Sequence, residues 1–341
     1  MQKISSRFMA ICSSAGMLIL ILDSKTAIRA AIDGLELCFY SIIPALFPFF
    51  LFSTLLTGVL HGQKLYIPGF LRNALGIPYG GEALLFAGLL GGYPLGAHCV
   101  AQAYRSGGIS KKDAGRMLGY CVNAGPAFIF GICSVLFTKP IIPWLLWFIH
   151  IFSALLTASV LPGKRTTKIA AANESTVSVP VAFRTAIKNM AQVCGWVVMA
   201  RVLTGFFDRW ILWLCPNDLR AVLLSAIELT NGCTELTRLP SEALRFILCS
   251  AALAFGGTSV YMQVCSVTGR LGTGMYIQGK LLQCIFSSLL AFILHYALFP
   301  TPLSPDRLAV PGLLVGAAIT SLIPFAAFYK KSGSFSAEYH V

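Results

Sequence analysis

The sequence predicts an all-α polytopic membrane protein: an inverted repeat with about eight transmembrane helices, two re-entrant hairpins and two broken helices. Three observations lead to this fold class: an apolar composition, Gly- and Pro-rich interruptions at membrane depth, and a recurring order of elements. Of the 341 residues, 56% are hydrophobic and only 11% are charged, whereas roughly a quarter of the residues of a soluble domain are charged. This composition excludes a soluble enzyme, a nucleic-acid-binding protein and a disordered scaffold.

The apolar stretches are long enough to cross a bilayer, because a spanning helix needs about 20 residues. Crossings are predicted at 8–22, 35–60, 114–137, 141–161, 189–207, 244–268, 281–299 and 308–329. Two further stretches, 82–104 and 219–234, are predicted to be re-entrant hairpins. The first contains the helix-breaking run Gly91-Gly92-Tyr93-Pro94-Leu95-Gly96, and the second is short and ends in Glu228-Leu229-Thr230-Asn231-Gly232.

The distribution of positive charge supports the hairpins. If both hairpins return to the side from which they enter and the N-terminus is cytoplasmic, 17 of the 26 Lys and Arg residues fall in cytoplasmic loops. Those loops include Arg116 and Lys280, eight cations lie outside, and Arg201 alone remains within a span. Because a crossing at 82–104 would translocate the most basic loops, the positive-inside rule favours hairpins and places both termini in the cytoplasm.

The polar stretch 162–182 divides the chain into two halves. We predict an N-terminal helix and loop (1–34), a first repeat (35–161), this cytoplasmic linker, a second repeat (183–300), and a C-terminal transmembrane helix and tail (301–341).

The two halves contain their helix breaks at matching places. Asn123-Ala124-Gly125-Pro126 interrupts one span, and Gly256-Gly257-Thr258-Ser259 interrupts its counterpart. Three crossings separate the hairpins, so the hairpins enter from opposite faces and the repeat is inverted. Inverted repeats with discontinuous helices are typical of transporters, and the four breaks are expected to converge on a polar cavity. Helix N-termini at this cavity would direct the positive ends of their dipoles into it, which favours a carboxylate or phosphate as the ligand.

Four motifs at these breaks resemble a known family. GLLGGYPLGA (88–97), NAGPAFIFG (123–131), ELTNG (228–232) and AFGGTSVYMQV (254–264) resemble sporulation integral membrane proteins of the YlbJ type. These belong to a wider group with the nucleoside-recognition "Gate" domain, similar in plan to concentrative nucleoside transporters. The resemblance implies an inner-membrane transporter built from two Gate-like repeats. In spore formers it implies movement of dipicolinate, a pyridine dicarboxylate, across the outer forespore membrane.

The candidate site residues surround the breaks, and each has a structural alternative. Arg201 either clamps a substrate carboxylate, pairs with Glu228 or snorkels to the interface; Glu228 either binds a coupling cation or proton or neutralises Arg201. The polar residues at the breaks line the site unless they serve only as helix caps and turns. The predicted substrate-binding set is Gly92, Tyr93, Asn123, Gly125, Arg201, Glu228, Thr230, Asn231, Gly256, Gly257, Thr258, Ser259 and Gln263.

The function predicted from these observations is secondary transport of a small anionic metabolite, with dipicolinate as the preferred substrate. A nucleoside or related heterocycle is the alternative within transport, and a non-transporting scaffold subunit is the alternative outside it. No enzyme activity or cofactor is expected, because no nucleophile–base arrangement or phosphate-binding loop stands out in the sequence. No metal site is expected, since the 11 cysteines are scattered singly. The expected partners are a small anionic solute and the lipid bilayer. The sequence leaves open whether the protein forms a homo-oligomer, and no nucleic acid is expected as a partner.

Overall fold

A computed structural model describes residues 6–60, 65–78, 81–161 and 178–299 of the chain. Within these ranges the protein consists of helices and short connections with no β-strand, which confirms the all-α prediction. Helices long and apolar enough to cross a membrane are Ser24–Leu56, Lys111–Leu136, Ile142–Val160, Val179–Trp210, Glu242–Thr268 and Gly274–Leu298. They correspond to six of the predicted crossings. The crossing at 8–22 is a 17-residue helix, and the one at 308–329 lies outside the described residues.

The first half of the described chain contains α1 (Ser6–Leu22), α2 (Ser24–Leu37), α3 (Ile43–Leu60), α4 (Gly69–Leu75), α5 (Glu82–Gly91), α6 (Leu95–Arg105), α7 (Lys111–Cys121), α8 (Pro126–Phe128) and α9 (Ile142–Val160). A π-helical turn, Cys38–Ile42, joins α2 to α3, and turns at Ile129–Cys133 and Ser134–Leu136 extend α8. The second half contains α10 (Val179–Trp210), α11 (Asn217–Ile227), α12 (Leu229–Leu236), α13 (Glu242–Phe255), α14 (Gly257–Thr268) and α15 (Gly274–Leu298).

The two predicted hairpins are pairs of short helices. Helices α5 and α6 have 10 and 11 residues, or about 15 Å of length each, roughly half of the hydrocarbon core. Their arms pack closely, because a Cβ atom on Gly96 would lie 3.0 Å from Cα of Gly88. Helices α11 and α12 have 11 and 8 residues and pack through Gly232, which lies against Ser225. Neither pair has an arm that could cross alone.

Helix α15 is central to the bundle and packs against α7, α9 and α13. Its Gly279 lies directly against the backbone of Gly119 on α7, with no room for a side chain at either position. This close approach carries the next residue, Lys280, to the end of α7, where the first broken helix is interrupted.

Several sequence predictions need correction. Helix α10 begins at Val179, so residues 179–182 are helical and do not belong to the predicted linker. The charge count places Arg116 and Lys280 in cytoplasmic loops, yet both are buried on helices, with 5% and 1% exposure. Arg116 is satisfied by the carbonyl groups of Leu75, Gly76, Ala158 and Leu161. Buried cations are tolerated where such carbonyls replace water.

Candidate solute-binding site

The break of the first hairpin touches the break of the first broken helix. Gly92 ends α5 with φ 71° and ψ −176°, a backbone conformation that only glycine adopts readily. A Cβ atom at Gly92 would lie 2.9 Å from the backbone nitrogen of Gly125. The absence of a side chain therefore allows the two interrupted backbones to meet.

The other two breaks join the same region. Gly257 has φ 78° and lies against the carbonyl groups of Ser225 and Ile227 at the end of α11. The hydroxyl of Thr258 donates to the Ile227 carbonyl at 2.9 Å. Across the repeats, the hydroxyl of Tyr93 donates to the Leu253 carbonyl at 2.7 Å. All four breaks thus contact one another in a chain, as the repeat argument predicts.

A cleft lies where the breaks meet, with about 500 Å³ of open space including its mouth. Most of its wall is apolar or aromatic, so the expectation of a polar cavity is wrong for most of the lining. The lining residues are Leu46, Phe49, Phe50, Gly91, Gly92, Tyr93, Gly125, Ala127, Phe128, Val193, Glu228, Leu229, Thr230, Val260 and Gln263. Ligand cavities in proteins typically combine such apolar walls with a few polar groups that fix orientation. The lining of the cleft thus has the mixed chemistry of a small-molecule site.

Glu228 is the charged residue of this lining. It separates α11 from α12 in an extended conformation, with φ −149° and ψ 127°, and it is 4% exposed. Its carboxylate accepts from the backbone N–H groups of Thr230 and Asn231 at 3.0 and 2.8 Å, and from the Asn231 side-chain amide at 2.9 Å. Glu228 therefore caps α12 with its own negative charge.

Three polar atoms near the cleft have no hydrogen-bond partner among the described residues. They are Oδ1 of Asn231, Oγ of Ser259 and Oε1 of Gln263, and each of these residues is at most 4% exposed. Buried polar groups in proteins are almost always paired, so an unpaired one requires an explanation. Gln263 also lines the cleft, so one of these unpaired oxygen atoms belongs to a residue of its wall.

Arg201 does not reach this cleft. It lies on α10 beside α2, and its guanidinium is 3.8 Å from the carboxylate of Asp33. Gly34 of α2 contacts Arg201 directly, so the cation belongs to the seam between these two helices. The predicted alternative that Arg201 pairs with Glu228 is wrong, because Asp33 supplies the nearby carboxylate instead.

Asn123 also faces away from the cleft. It is fully buried, and its side-chain amide donates to the Tyr120 carbonyl at 2.7 Å. Its side-chain oxygen accepts from Gln283 at 2.9 Å and from Lys280 at 3.5 Å. The sequence analysis did not identify Lys280 and Gln283, the two residues of α15 in this network. They are three residues apart and therefore lie on one face of a spanning helix, which was the signal available in the sequence.

The structure thus divides the predicted set into three groups. The cleft is lined by Gly92, Tyr93, Gly125, Glu228, Thr230 and Gln263. The remaining hairpin and break residues, Asn231, Gly256, Gly257, Thr258 and Ser259, lie beside it within or next to the contacting breaks. Asn123 and Arg201 face other helices.

A group of three cysteines was also not anticipated. Cys133, Cys233 and Cys249 are buried, and their sulfur atoms all lie within 4.8 Å of one another. They come from the first broken helix, the second hairpin and the second broken helix. Thiolates are ligands for soft metals, so these residues have the donor atoms for one, although their separation in sequence gave no such signal.

Fold and site together define a multi-pass membrane protein in which interrupted helices surround a central cleft. Among curated proteins, the chain is 29% identical over 113 residues to the sporulation integral membrane protein YlbJ of Bacillus subtilis (strain 168). The match covers 33% of this chain and 28% of that protein. No protein-family model matches the chain, and no solved structure matches it.

Proposed function

We propose that the protein is a secondary transporter of a small heterocyclic metabolite. The observation that carries this proposal is the meeting of four helix breaks around a cleft with an unpartnered, buried Gln263 oxygen. Interrupted backbone at membrane depth is tolerated where it faces protein or a cavity, and transporters place their solutes at such breaks. A scaffold subunit has no physical reason to keep these features, and the residues that line the cleft include no nucleophile paired with a base.

The electrostatics of the cleft favour a neutral solute. Glu228 is its only charged lining residue, and a dianion would experience repulsion at close range in a low-dielectric site. A nucleoside or related heterocycle can stack on Phe or Tyr rings and donate hydrogen bonds to Glu228 and Gln263. This reverses the order of the two substrates that the sequence suggested.

Dipicolinate is the second candidate, and it rests on the resemblance of the four break motifs to sporulation membrane proteins of the YlbJ type. It would need to enter protonated or together with a cation, because the cleft provides no cationic side chain among its lining residues. In this case the protein would act in the outer forespore membrane of a spore former. Under either proposal the protein crosses the membrane several times and has both termini in the cytoplasm. Either proposal is compatible with a homo-oligomer.

The test is uptake of labelled uridine and labelled dipicolinate into liposomes containing the purified protein. We expect saturable uptake of uridine by the wild type, with a loss of at least tenfold in Glu228→Gln and Gln263→Met. The Gln263→Met variant is the sharper one, because it removes an unpaired polar atom and should leave the fold at least as stable.

Arg201→Ala is the matched control, since Arg201 lies outside the cleft. Dipicolinate uptake that depends on Arg201 would contradict the cleft assignment and restore the carboxylate-clamp hypothesis. Dipicolinate uptake that depends on Gln263 would keep the site and change the solute. The absence of uptake and of equilibrium binding for both solutes would favour the scaffold.

A further inference from the structure

Lys280 is buried in the centre of the bundle with an unusual set of partners. It is 1% exposed, and its ammonium donates to the backbone carbonyl of Val122, to Oδ1 of Asn123 at 3.5 Å and to Oε1 of Gln283. All three acceptors are neutral oxygen atoms. Val122 and Asn123 belong to the non-helical segment 122–125 that interrupts the first broken helix.

The ammonium has no carboxylate partner among the described residues, since none of their ion pairs includes Lys280. A charge removed from water is costly unless polar groups replace its hydration. Here the replacement is made by the oxygens of an unwound segment and of two amide side chains. The carbonyl of Val122 is available because the helix ends at Cys121.

A carbonyl and two amide oxygens resemble the ligand set of a hard cation more than that of an ion pair. In transporters with discontinuous helices, unwound carbonyls of this kind coordinate Na⁺ or H⁺. The break is also adjacent to the solute cleft, because Gly125 lines the cleft two residues after Asn123. The ammonium of Lys280 therefore stands where a mobile cation would otherwise organise the break.

We propose that Lys280 is a tethered cation that fills an alkali-cation subsite at the first break, so that the break is organised without Na⁺. Removal of the side chain then opens a subsite that a small monovalent cation can enter. The corollary that solute uptake needs no Na⁺ rests on the proposed transport function, whereas the subsite itself does not.

The subsite is tested by thermal unfolding of the full chain in detergent, in NaCl and in choline chloride of equal ionic strength. Lys280→Ala removes the ammonium and leaves space, and we expect its melting temperature to rise by about 2–4 °C in Na⁺, as for a ligand that binds only the folded state. Lys280→Met removes the charge but fills the space, so it should be destabilised to the same extent in both salts. The wild type should show no difference between salts.

Three results would overturn the proposal. One is a Lys280→Ala variant that gains no stability from Na⁺, whether it melts at the same temperature in both salts or folds in neither. Another is a wild type that Na⁺ stabilises as much as it does the variant, which would place the cation elsewhere. The third is a Lys280→Met variant as stable as the wild type, because the ammonium would then be dispensable.

Uptake distinguishes this proposal from the proposed function. Wild-type uptake of uridine or dipicolinate should be equal in Na⁺ and choline, and strict dependence on Na⁺ would contradict the tethered-cation corollary. If the wild type transports neither solute, the proposed function fails, while the unfolding comparison of Lys280→Ala and Lys280→Met still decides the subsite.

Discussion

The two broken helices satisfy their freed backbone groups in different ways. At the first break, Lys280 on α15 donates to the Val122 carbonyl, and His150 on α9 accepts from the Ala124 N–H at 3.0 Å. Both partners belong to spanning helices. At the second break, Tyr93 and Thr258 make the neutral hydroxyl bonds that link the interrupted helix to the two hairpins.

This difference indicates which part of the site is fixed. A buried network that includes a charge is strongly destabilised when one partner is removed, so the first break belongs to a rigid frame with α9 and α15. A neutral hydrogen bond contributes only about 1 kcal/mol, so the second break can separate from the hairpins at low cost. We therefore expect changes at the first break to reduce stability and changes at the second to reduce transport.

The largest effect is expected at Asn123. Asn123→Leu removes the acceptor that serves both Gln283 and Lys280, and the loss of these two buried hydrogen bonds, one of them to a charged group, should lower the free energy of unfolding by about 3 kcal/mol. Equilibrium unfolding in detergent measures this. A loss below about 1 kcal/mol would contradict the rigid-frame assignment and remove the contrast between the breaks.

A smaller effect is expected at Gly92, where a hairpin meets the first break. Gly92→Ala should cost about 2–3 kcal/mol, because it adds backbone strain and places Cβ 2.9 Å from the Gly125 nitrogen. Gly107→Ala is the control, since Gly107 has φ 76° but no atom within 4 Å of the point that its Cβ would occupy. Equal losses in the two variants would show that the close approach contributes nothing.

Tyr93 tests the second break directly. Tyr93→Phe deletes the hydroxyl that donates to Leu253, so we expect a loss of about 1 kcal/mol in stability together with a clear change in the uptake rate. Tyr276→Phe is the control, because the Tyr276 hydroxyl is buried without a partner among the described residues. If Tyr93→Phe destabilised the protein as much as Asn123→Leu, the two breaks would be equally fixed.

The smallest effect is expected at Arg201. Its ion pair with Asp33 is long, at 3.8 Å, and the Asp33 side chain is 48% exposed, so Arg201→Ala should cost less than about 1 kcal/mol. Solute affinity should stay within about twofold of the wild type, as measured by equilibrium binding. A tenfold loss of affinity would return Arg201 to the binding site.

The positions of the breaks could be predicted from the sequence, because each break is caused by residues that are neighbours in the chain. Gly92 and Gly257 occupy backbone conformations that few other residues adopt, and a Gly-rich run within an apolar stretch identifies such points directly. Their convergence followed from the order of elements. Contacts such as Tyr93 with Leu253 depend on packing between distant segments, which no local pattern contains.

The partners of the buried cations were not predictable in the same way. Counting charges at span ends treats every Lys or Arg as hydrated, and this places Lys280 and Arg116 in loops. Both are instead satisfied by carbonyl groups that only the folded bundle brings together. Arg201 shows the converse, because its partner Asp33 lies 168 residues earlier, beyond the reach of any local pattern.

Binding of the solute in the cleft where the breaks meet can be tested at two matched positions of helix α3. Phe49 lines the cleft, whereas Phe52, three residues later, is 69% exposed. Phe49→Cys and Phe52→Cys can each be labelled with N-ethylmaleimide in the full chain, and the modified peptide followed by mass spectrometry with and without uridine or dipicolinate. We expect the bound solute to slow labelling of Phe49→Cys at least tenfold and to leave labelling of Phe52→Cys unchanged. Solute that binds without protecting Phe49→Cys would contradict binding in the cleft.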